Sequence, residues 1–192
     1  MIAKIETSTA ADSTHATVLR GAKSGEAVGA GGVYTVECIG PDGQTKWVDT
    51  FNNLVMNEGL QDMNAKYFNG SSYTADHYVG LIQGPASGNT IAAADSLASH
   101  AGWPETTDYS GARKALTMGA ATDADPSVIS NTASVASFAM NATVTVAGAF
   151  VATVSSGTTG VLFSAGNFTG GDKFVDSGDT LNVTYQFSLA AT

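Results

Sequence analysis

Residues 138–154 carry the clearest pattern in the chain, a period-two alternation of apolar and polar positions. One parity is apolar or small: Phe138, Met140, Ala142, Val144, Val146, Gly148, Phe150, Ala152 and Val154. The other parity includes Ser137, Asn141, Thr143, Thr145 and Thr153. Because successive side chains of a strand point to opposite faces, this pattern predicts β-structure with one dry and one wet side. We expect a bend near Ala147 and Gly148, since glycine permits a bulge or corner.

A second alternation, over residues 180–189, and a hairpin nearer the start extend the β-pattern. The predicted hairpin joins strands at residues 33–39 and 45–51 through Pro41-Asp42-Gly43, where proline presets φ and Asp and Gly tolerate the remaining turn angles. Shorter strands are predicted at residues 78–82, 112–118, 127–130 and 160–165. Turns rich in Gly, Ser, Asp and Thr separate them. The predicted fold is therefore mainly β, an antiparallel β-sandwich or jelly roll.

One or two short helices complete the prediction. Residues 54–68 carry Met56, Leu60, Met63 and Tyr67 at helical spacing, which predicts one apolar stripe facing the core. Asn52 or Asn53 is the expected N-cap. Residues 91–99 are expected to form one or two further helical turns.

The first 32 residues differ from the rest of the chain. They carry Thr, Ser, Ala and Gly and end in a glycine-rich stretch, so they hold too little apolar surface for a core of their own. We expect residues 1–32 to form an extended N-terminal arm and residues 33–192 to form the β-domain. The expected partner-binding residues of the arm are Ile2, Ile5, Val18 and Leu19. The alternative is a terminus without a role.

Composition and charge narrow the classes of partner. Charged residues make up only 13% of the chain and the net charge is −9, with eight basic residues scattered along the sequence. Since phosphate binding needs clustered Lys and Arg, we expect no nucleic-acid partner, and the same deficit argues against an anionic membrane surface. The single cysteine, Cys38, excludes an internal disulfide and a cysteine-rich zinc site. No apolar run of about 18 residues and no secretory signal is visible, so synthesis in a cytoplasm is expected.

Candidate chemistry in the sequence is sparse. His15, His77 and His100 lie far apart, and no nucleophile turn frames the serine of the Ser99-His100 pair. The acidic loops around Asp123 and around Asp176 lack the ligand spacing of a calcium loop, so turn formation is the preferred explanation. We therefore expect no catalytic, cofactor-binding or metal-binding residues, and a protein that is not an enzyme.

Three groups of motifs carry a resemblance to a known class of proteins. The first is Phe51-Asn-Asn-Leu-Val, then Asn57-Glu-Gly-Leu and Tyr78-Val-Gly-Leu-Ile. The second is Ala94-Asp-Ser-Leu-Ala-Ser-His-Ala-Gly-Trp103 with Glu105, Tyr109 and Arg113. The third comprises Gly157-Thr-Thr-Gly-Val-Leu-Phe, Phe168-Thr-Gly-Gly-Asp-Lys and Ser177-Gly-Asp-Thr-Leu-Asn-Val-Thr-Tyr. In this order, over about residues 45–190, the chain resembles small virion structural proteins of tailed bacteriophages, which include capsid decoration, tail and fibre-associated proteins.

The resemblance implies a capsid decoration, or cement, protein without a substrate. Its partners would be the major capsid protein and itself, and its place would be the capsid exterior of the virion, after synthesis in the host cytoplasm. The alternative is a tail- or fibre-associated module that binds a receptor or a carbohydrate. In that case Trp47, Tyr73, Trp103 and Tyr109 would present their rings on one face.

Self-association is expected as a homodimer or a trimer. The second parity of residues 138–154 holds Ala139, Ala147, Ala149 and Val151 and no charge, although a face that met only water would normally carry Lys and Glu. Ala147, Ala149 and Val151 are therefore the predicted contact residues of the domain, packed against another chain or beneath the arm.

Overall fold

The computed structural model of the chain describes residues 27–71, 76–85 and 89–191. Within these residues the fold is mainly β, with two antiparallel sheets and a single short helix, which confirms the predicted fold class. The elements are β1 Val28–Ile39, β2 Thr45–Asn52, β3 Leu54–Val55, α1 Asn57–Phe68, β4 Tyr78–Gln83, β5 Glu105–Thr106, β6 Lys114–Ala115, β7 Ser127–Ser130, β8 Ala136–Ala139, β9 Val144–Ala152, β10 Leu162–Asn167, β11 Lys173–Val175 and β12 Thr180–Ala191.

Two sheets form the frame. Sheet A has five strands in the order β2-β1-β12-β7, with β8 also paired to β12. The two middle strands, β1 and β12, are the first and last strands of the sheet in chain order. They pair over their whole lengths, from Val28 opposite Ala191 to Ile39 opposite Thr180. Sheet B has seven strands in the order β3-β10-β9-β4-β5, with β11 also paired to β9 and β6 to β4. The sheets pack in a sandwich-like arrangement, because one apolar core draws buried residues from both.

Sheet B is buried on both faces. The main core lies between the sheets, where Tyr34, Val36 and Leu181 of sheet A meet residues of sheet B such as Leu81 and Val151. A second core covers the opposite face of sheet B. It contains Met56, Ile82, Leu97, Trp103, Ala147, Phe150, Ala152, Leu162 and Ala165.

A buried hydroxyl cluster crosses the main core. The hydroxyls of Tyr34 in sheet A and Ser164 in sheet B lie 2.9 Å apart, and Ser164 Oγ lies 3.2 Å from the hydroxyl of Tyr185. Asn53 Nδ2 donates to the Tyr185 hydroxyl at 2.9 Å. Burial raises the pKa of the Tyr34 hydroxyl and the pKa of the Tyr185 hydroxyl above the ordinary value for tyrosine. Because a polar group left without a partner in a core is costly, the cluster favours one alignment of the two sheets.

The hairpin and the boundary of the folded part show how local sequence sets the structure. The predicted turn is present: Gly43 adopts a φ of +79°, its N–H donates to Gly40 O, and Gln44 N–H donates to the Asp42 carboxylate. However, β1 begins at Val28 rather than Val33, so the predicted boundary of the arm is wrong. The stretch 28–32 becomes a strand because β12 supplies a backbone partner for each of its residues. Ile2, Ile5, Val18 and Leu19 lie outside the described residues.

Residues 138–154 form parts of two strands in different sheets, not one strand with a dry and a wet side. In β8 the burial alternates as predicted, whereas β9 is buried on both sides because it lies in the middle of sheet B. The predicted bend is confirmed by an irregularity in the pairing of β9 with β4. Ile82 lies opposite Gly148 and the next residue, Gln83, lies opposite Val146, so Ala147 has no partner in β4. This shift reverses the parity, so Val146 and Val151 face the same core.

Helix α1 begins at Asn57, later than predicted, because residues 54–55 pair with β10 as β3. Its N-cap is Met56, and no side chain caps it, so the predicted asparagine cap is wrong. The predicted stripe is also wrong in part, since Leu60 and Tyr67 are exposed. Gly59 sits against β10 instead, so closely that an added Cβ would lie 2.5 Å from Phe163 O.

Two further predicted elements differ from the structure. Residues 91–99 form turns with a bridge between Ser96 and Ser99, not helical turns. The strand predicted at residues 112–118 is reduced to Lys114–Ala115. The strand at Ser127–Ser130 is confirmed with its predicted bounds, and strands 78–82, 160–165 and 180–189 are confirmed with shifted ends.

Candidate functional site

The outward side of sheet A is a broad and almost uncharged surface. Directly paired residues of adjacent strands share a face, so the strand register places outward side chains in rows. The central row is Thr50, Thr35 and Thr184. One flanking row is Val48, Glu37, Asn182 and Ser137, and the other is Asn52, Val33, Gln186 and Ser130. We call these rows the threonine face.

Glu37 is the one charged residue among the rows of the threonine face, and its carboxylate accepts a hydrogen bond from Thr45 Oγ1 at 2.7 Å. The hydroxyls of Thr35 and Thr50 lie 3.1 Å apart and bond to each other. Across the whole sequence, in contrast, seventeen acidic residues outnumber eight basic ones. The threonine face thus has the composition of a surface that is buried against a partner, with few charges to desolvate.

Ala147, Ala149 and Val151, the contact residues predicted within the domain, are each 0% exposed. They pack inside the two cores on either side of sheet B, so the prediction that they contact another chain is wrong. Their lack of charge reflects a strand buried on both faces. Ala139, from the same parity, does lie on the outward side of sheet A, opposite Thr180.

The sequence interpretation missed the threonine face, although part of its signal was present. In residues 180–189 the polar parity is Thr180, Asn182, Thr184 and Gln186, without a charge. That alternation predicts the burial of Leu181, Val183 and Tyr185 correctly, whereas Leu189 at its end is 39% exposed. By the reasoning used for residues 138–154, this uncharged outward parity indicates a surface that contacts a partner.

A buried carboxylate lies at the turn before β12. Asp179 is 0% exposed, and its Oδ2 accepts hydrogen bonds from Lys46 Nζ at 2.8 Å and from Asp176 N–H at 2.9 Å. Burial alone would raise the pKa of the Asp179 carboxyl, but these hydrogen bonds outweigh it and hold the pKa below its usual value. The nearby Cys38 thiol is buried, and burial together with the charge of Asp179 raises its pKa to about 12. A thiol in this state is not a nucleophile at neutral pH.

A second ion pair, between Arg113 and Glu105, lies beside sheet B. Arg113 donates to both carboxylate oxygens of Glu105, at 2.9 and 2.7 Å, and to Val154 O at 3.1 Å. Its guanidinium lies 5.1 Å from the ring centre of Phe150. Burial raises the pKa of the adjacent Tyr109 to about 12. These groups bind one another, which is the arrangement of a structural ion pair.

An open groove of about 640 Å³ runs beside the loop that covers sheet B, lined by residues that include Asn89, Ser99, His100 and Thr158. The His100 ring stacks on Trp103 with centroids 4.0 Å apart, and Trp103 Nε1 donates to Asp95 at 3.0 Å. Trp103 itself is only 2% exposed. The indole therefore supports the wall of the groove and offers no open ring face.

The other aromatic residues expected on a carbohydrate-binding surface are also covered. Tyr109 is 3% exposed, and Trp47 is half-buried against Phe168. Tyr73 lies outside the described residues. Stacking of a sugar needs an exposed ring, which neither Tyr109 nor Trp103 provides.

The candidate ligands for a metal ion do not converge. His77 packs edge-on against Phe163 and His100 stacks on Trp103, in different parts of the fold. Over residues 27–71, 76–85 and 89–191, no group of three or more His, Cys, Asp or Glu side chains is arranged to hold a metal ion. The helix in this part of the chain is too short and too polar to cross a membrane.

Comparison with known proteins found no matching family model, no similar curated protein and no similar solved structure.

Proposed function

We propose that this protein is a structural component of a tailed-bacteriophage particle, a decoration protein that binds neighbouring subunits of the major capsid protein on the outside of the capsid. The observation that supports this proposal most strongly is the threonine face. The three groups of sequence motifs that resemble phage virion proteins support it independently.

The threonine face has the physical properties of a docking surface. Burying an unpaired charge is expensive, whereas hydroxyl and amide groups can exchange water for hydrogen bonds to a partner at little net cost. The β-branched side chains at Thr35, Thr50 and Thr184 are restricted at χ1, so ordering them on binding costs little entropy. A capsid subunit with a flat polar surface could bind against this face.

The size of the face indicates how strong each contact can be. Four strands about 4.8 Å apart and about seven residues long, at about 3.3 Å per residue, cover roughly 450 Å² in projection. A standard interface buries about 800 Å² per partner. One face therefore gives a modest contact. Copies that are linked to one another on a repeating capsid lattice, or an additional contact by residues 1–26, would give stable attachment.

The charge distribution supports a partner of the opposite sign around the face. The net charge of −9 resides in residues 27–192, because residues 1–26 contain three acidic and three basic residues. Lys46, Arg113 and Lys173 are each paired with a carboxylate of the same domain. A partner with basic residues around an uncharged centre would therefore be steered to this domain.

The first experiment tests the class of protein. Mass spectrometry of purified particles, compared with the non-structural lysate, should find the chain in the particle, and electron microscopy should place it on the capsid exterior. Absence of the chain from purified particles would exclude the proposal. Density at the tail instead would exclude the decoration role.

The second experiment tests the threonine face against the rival carbohydrate-binding module. Thr35→Lys places a charge in the centre of the threonine face, and Thr158→Lys places the same charge at an exposed threonine in the groove. Binding to capsids stripped of this protein should weaken at least about tenfold for Thr35→Lys, since burying the charge costs more than 1.4 kcal/mol, and stay unchanged for Thr158→Lys. Equal capsid binding by both variants would show that the threonine face is not the docking surface. Glycan-array binding that only Thr158→Lys removes would favour the rival function.

A further inference from the structure

Helix α1 has an unusual distribution of charge. Its exposed residues recur at successive spacings of three and one, and all lie on the outward side: Asn57, Leu60, Gln61, Asn64, Tyr67 and Phe68. No charged residue is among them, although all twelve residues of α1 are described. An outward helix face normally carries charged side chains, which keep it in water.

None of the charged residues of α1 lies on the outward side, and each is engaged by another group. The Glu58 carboxylate accepts hydrogen bonds from the N–H groups of Leu162 at 3.0 Å and Leu97 at 3.4 Å. Asp62 and Lys66 form an ion pair at 2.9 Å, with side chains only 15% and 17% exposed. Glu58 thus binds the rest of the domain, Asp62 and Lys66 bind each other, and the outward side of α1 is left uncharged.

Two aromatic side chains dominate the outward side. Tyr67 is 82% exposed and Phe68 is 77% exposed, and their rings pack edge to face with centroids 5.0 Å apart. Leu60, two turns earlier on the same side, is 41% exposed. Exposed aromatic side chains that contact each other are typical of the centre of protein interfaces, where aromatic residues are enriched and charged residues are depleted.

We propose that the outward side of α1 is a self-association surface, on which a second copy of this chain packs its own α1 in antiparallel orientation around a two-fold axis. The outward positions 57, 60, 64 and 67 follow the alternating three-four spacing of a helix–helix seam. In an antiparallel pair the Leu60 end of one helix meets the Tyr67–Phe68 end of the other. Asn64 lies midway, close to the two-fold axis, and the two helix dipoles oppose each other.

The net charge of the chain favours this location for a contact between copies. Two chains that each carry a net charge of −9 repel one another over most of their surfaces. The repulsion is smallest where the contacting surfaces have no charge of their own, and the outward side of α1 meets that condition. The inference extends the proposed function, since it assigns a contact between copies and not a contact with the capsid.

The available area predicts a weak and reversible dimer. Burying the exposed parts of Tyr67 and Phe68 would remove roughly 120–200 Å² each from water. With Leu60 and the amide side chains, the contact would bury about 1,000 Å² over both copies, which is below the usual 1,200–2,000 Å² of stable complexes. Dimerisation should therefore depend on concentration, and should strengthen with salt as the repulsion is screened.

Light scattering of the full chain over a range of concentrations tests the proposal. The mass of the wild-type protein should rise from 19.4 kDa toward twice that value, whereas Tyr67→Ser/Phe68→Ser should remain at 19.4 kDa. Phe174→Ser is the matched control, because Phe174 is 62% exposed on β11, and this variant should associate like the wild type. Association of the double variant at wild-type strength would overturn the proposal, as would equal loss in the control.

A charge-complementation experiment tests whether the two helices face each other. Asn64→Lys and Asn64→Asp should each weaken dimerisation at least about tenfold, because like charges then meet near the two-fold axis. An equimolar mixture of the two variants should recover it, since the opposite charges meet only in the mixed dimer. Failure of the mixture to recover would show that the two Asn64 positions do not meet, and would overturn the antiparallel arrangement.

Discussion

Replacing Gly148 with alanine should destabilise the fold through a clash of two backbones. An alanine Cβ at this position would lie 2.0 Å from Gly166 O and 2.8 Å from Asn167 Cα. Ordinary contacts are 3.4–4 Å, so one of the two strands must move. Because Gly166 O and Asn167 Cα are main-chain atoms of β10, no side-chain rotation can relieve the clash.

The magnitude follows from three contributions. Overpacking of this kind costs about 1–3 kcal/mol. Separation of β9 from β10 at this point weakens about one interstrand hydrogen bond, which adds about 1 kcal/mol. The reduced freedom of alanine in the unfolded chain returns about 0.4–1 kcal/mol. The net expectation is a loss of about 1–4 kcal/mol in the free energy of unfolding and a fall of roughly 2–14 °C in Tm.

Gly31 offers a matched control for the same substitution. No atom lies within 4 Å of a Cβ built there, and its φ is not among the positive values of the described glycines. Gly31→Ala should therefore be neutral or stabilising by up to about 1 kcal/mol. Urea unfolding followed by circular dichroism measures both variants. Equal stability of Gly148→Ala and Gly31→Ala would refute the close approach of β9 and β10 on which the argument depends.

Two further predictions concern buried polar groups. The folded-state pKa of Asp179 lies below the ordinary value of 3.8, so the stability that Asp179 contributes is present above that pH and is lost as the pH falls through the folded pKa. In urea titrations below pH 3.8, the unfolding free energy of Asp179→Asn should therefore fall less steeply with acid than that of the wild type. Ser164→Ala should lower the unfolding free energy by about 1–3 kcal/mol, because it deprives the Tyr34 and Tyr185 hydroxyls of a shared partner. The control Ser156→Ala, at an exposed serine, should change the unfolding free energy by at most about 0.5 kcal/mol. Equal effects of the two substitutions would contradict the role of the hydroxyl cluster.

The sequence predicts which side chains of a strand are buried where the strand has one buried side and an intact parity. In β12 the inward residues Leu181, Val183 and Tyr185 are all buried, as their spacing indicates. In β9 the same reasoning failed, because neither the burial of a second face nor the parity change at Ala147 is visible in a local pattern. Both depend on which strands lie beside β9 and on the loop that covers it.

Helix α1 shows a second limit of sequence interpretation. The periodicity of Met56, Leu60, Met63 and Tyr67 indicated an apolar stripe, but the buried side is set by Gly59, whose small size lets the helix backbone approach β10. A glycine contributes nothing to a hydrophobic pattern, so its role as the contact point is visible only in the structure. The uncharged outward side of α1, in contrast, could have been noticed from the sequence once the helix was correctly oriented.

The pairing of β1 with β12 ties the completion of the fold to the order of synthesis. A ribosome delivers Val28 long before Ala191, and until β12 has emerged β1 has only β2 as a neighbour in sheet A. The closure of so long a loop makes this a slow, late step of folding. Incomplete chains therefore cannot form the central row of the threonine face, because Thr184 completes it. If the threonine face is the docking surface, attachment itself selects copies in which β12 has been synthesised and has paired with β1.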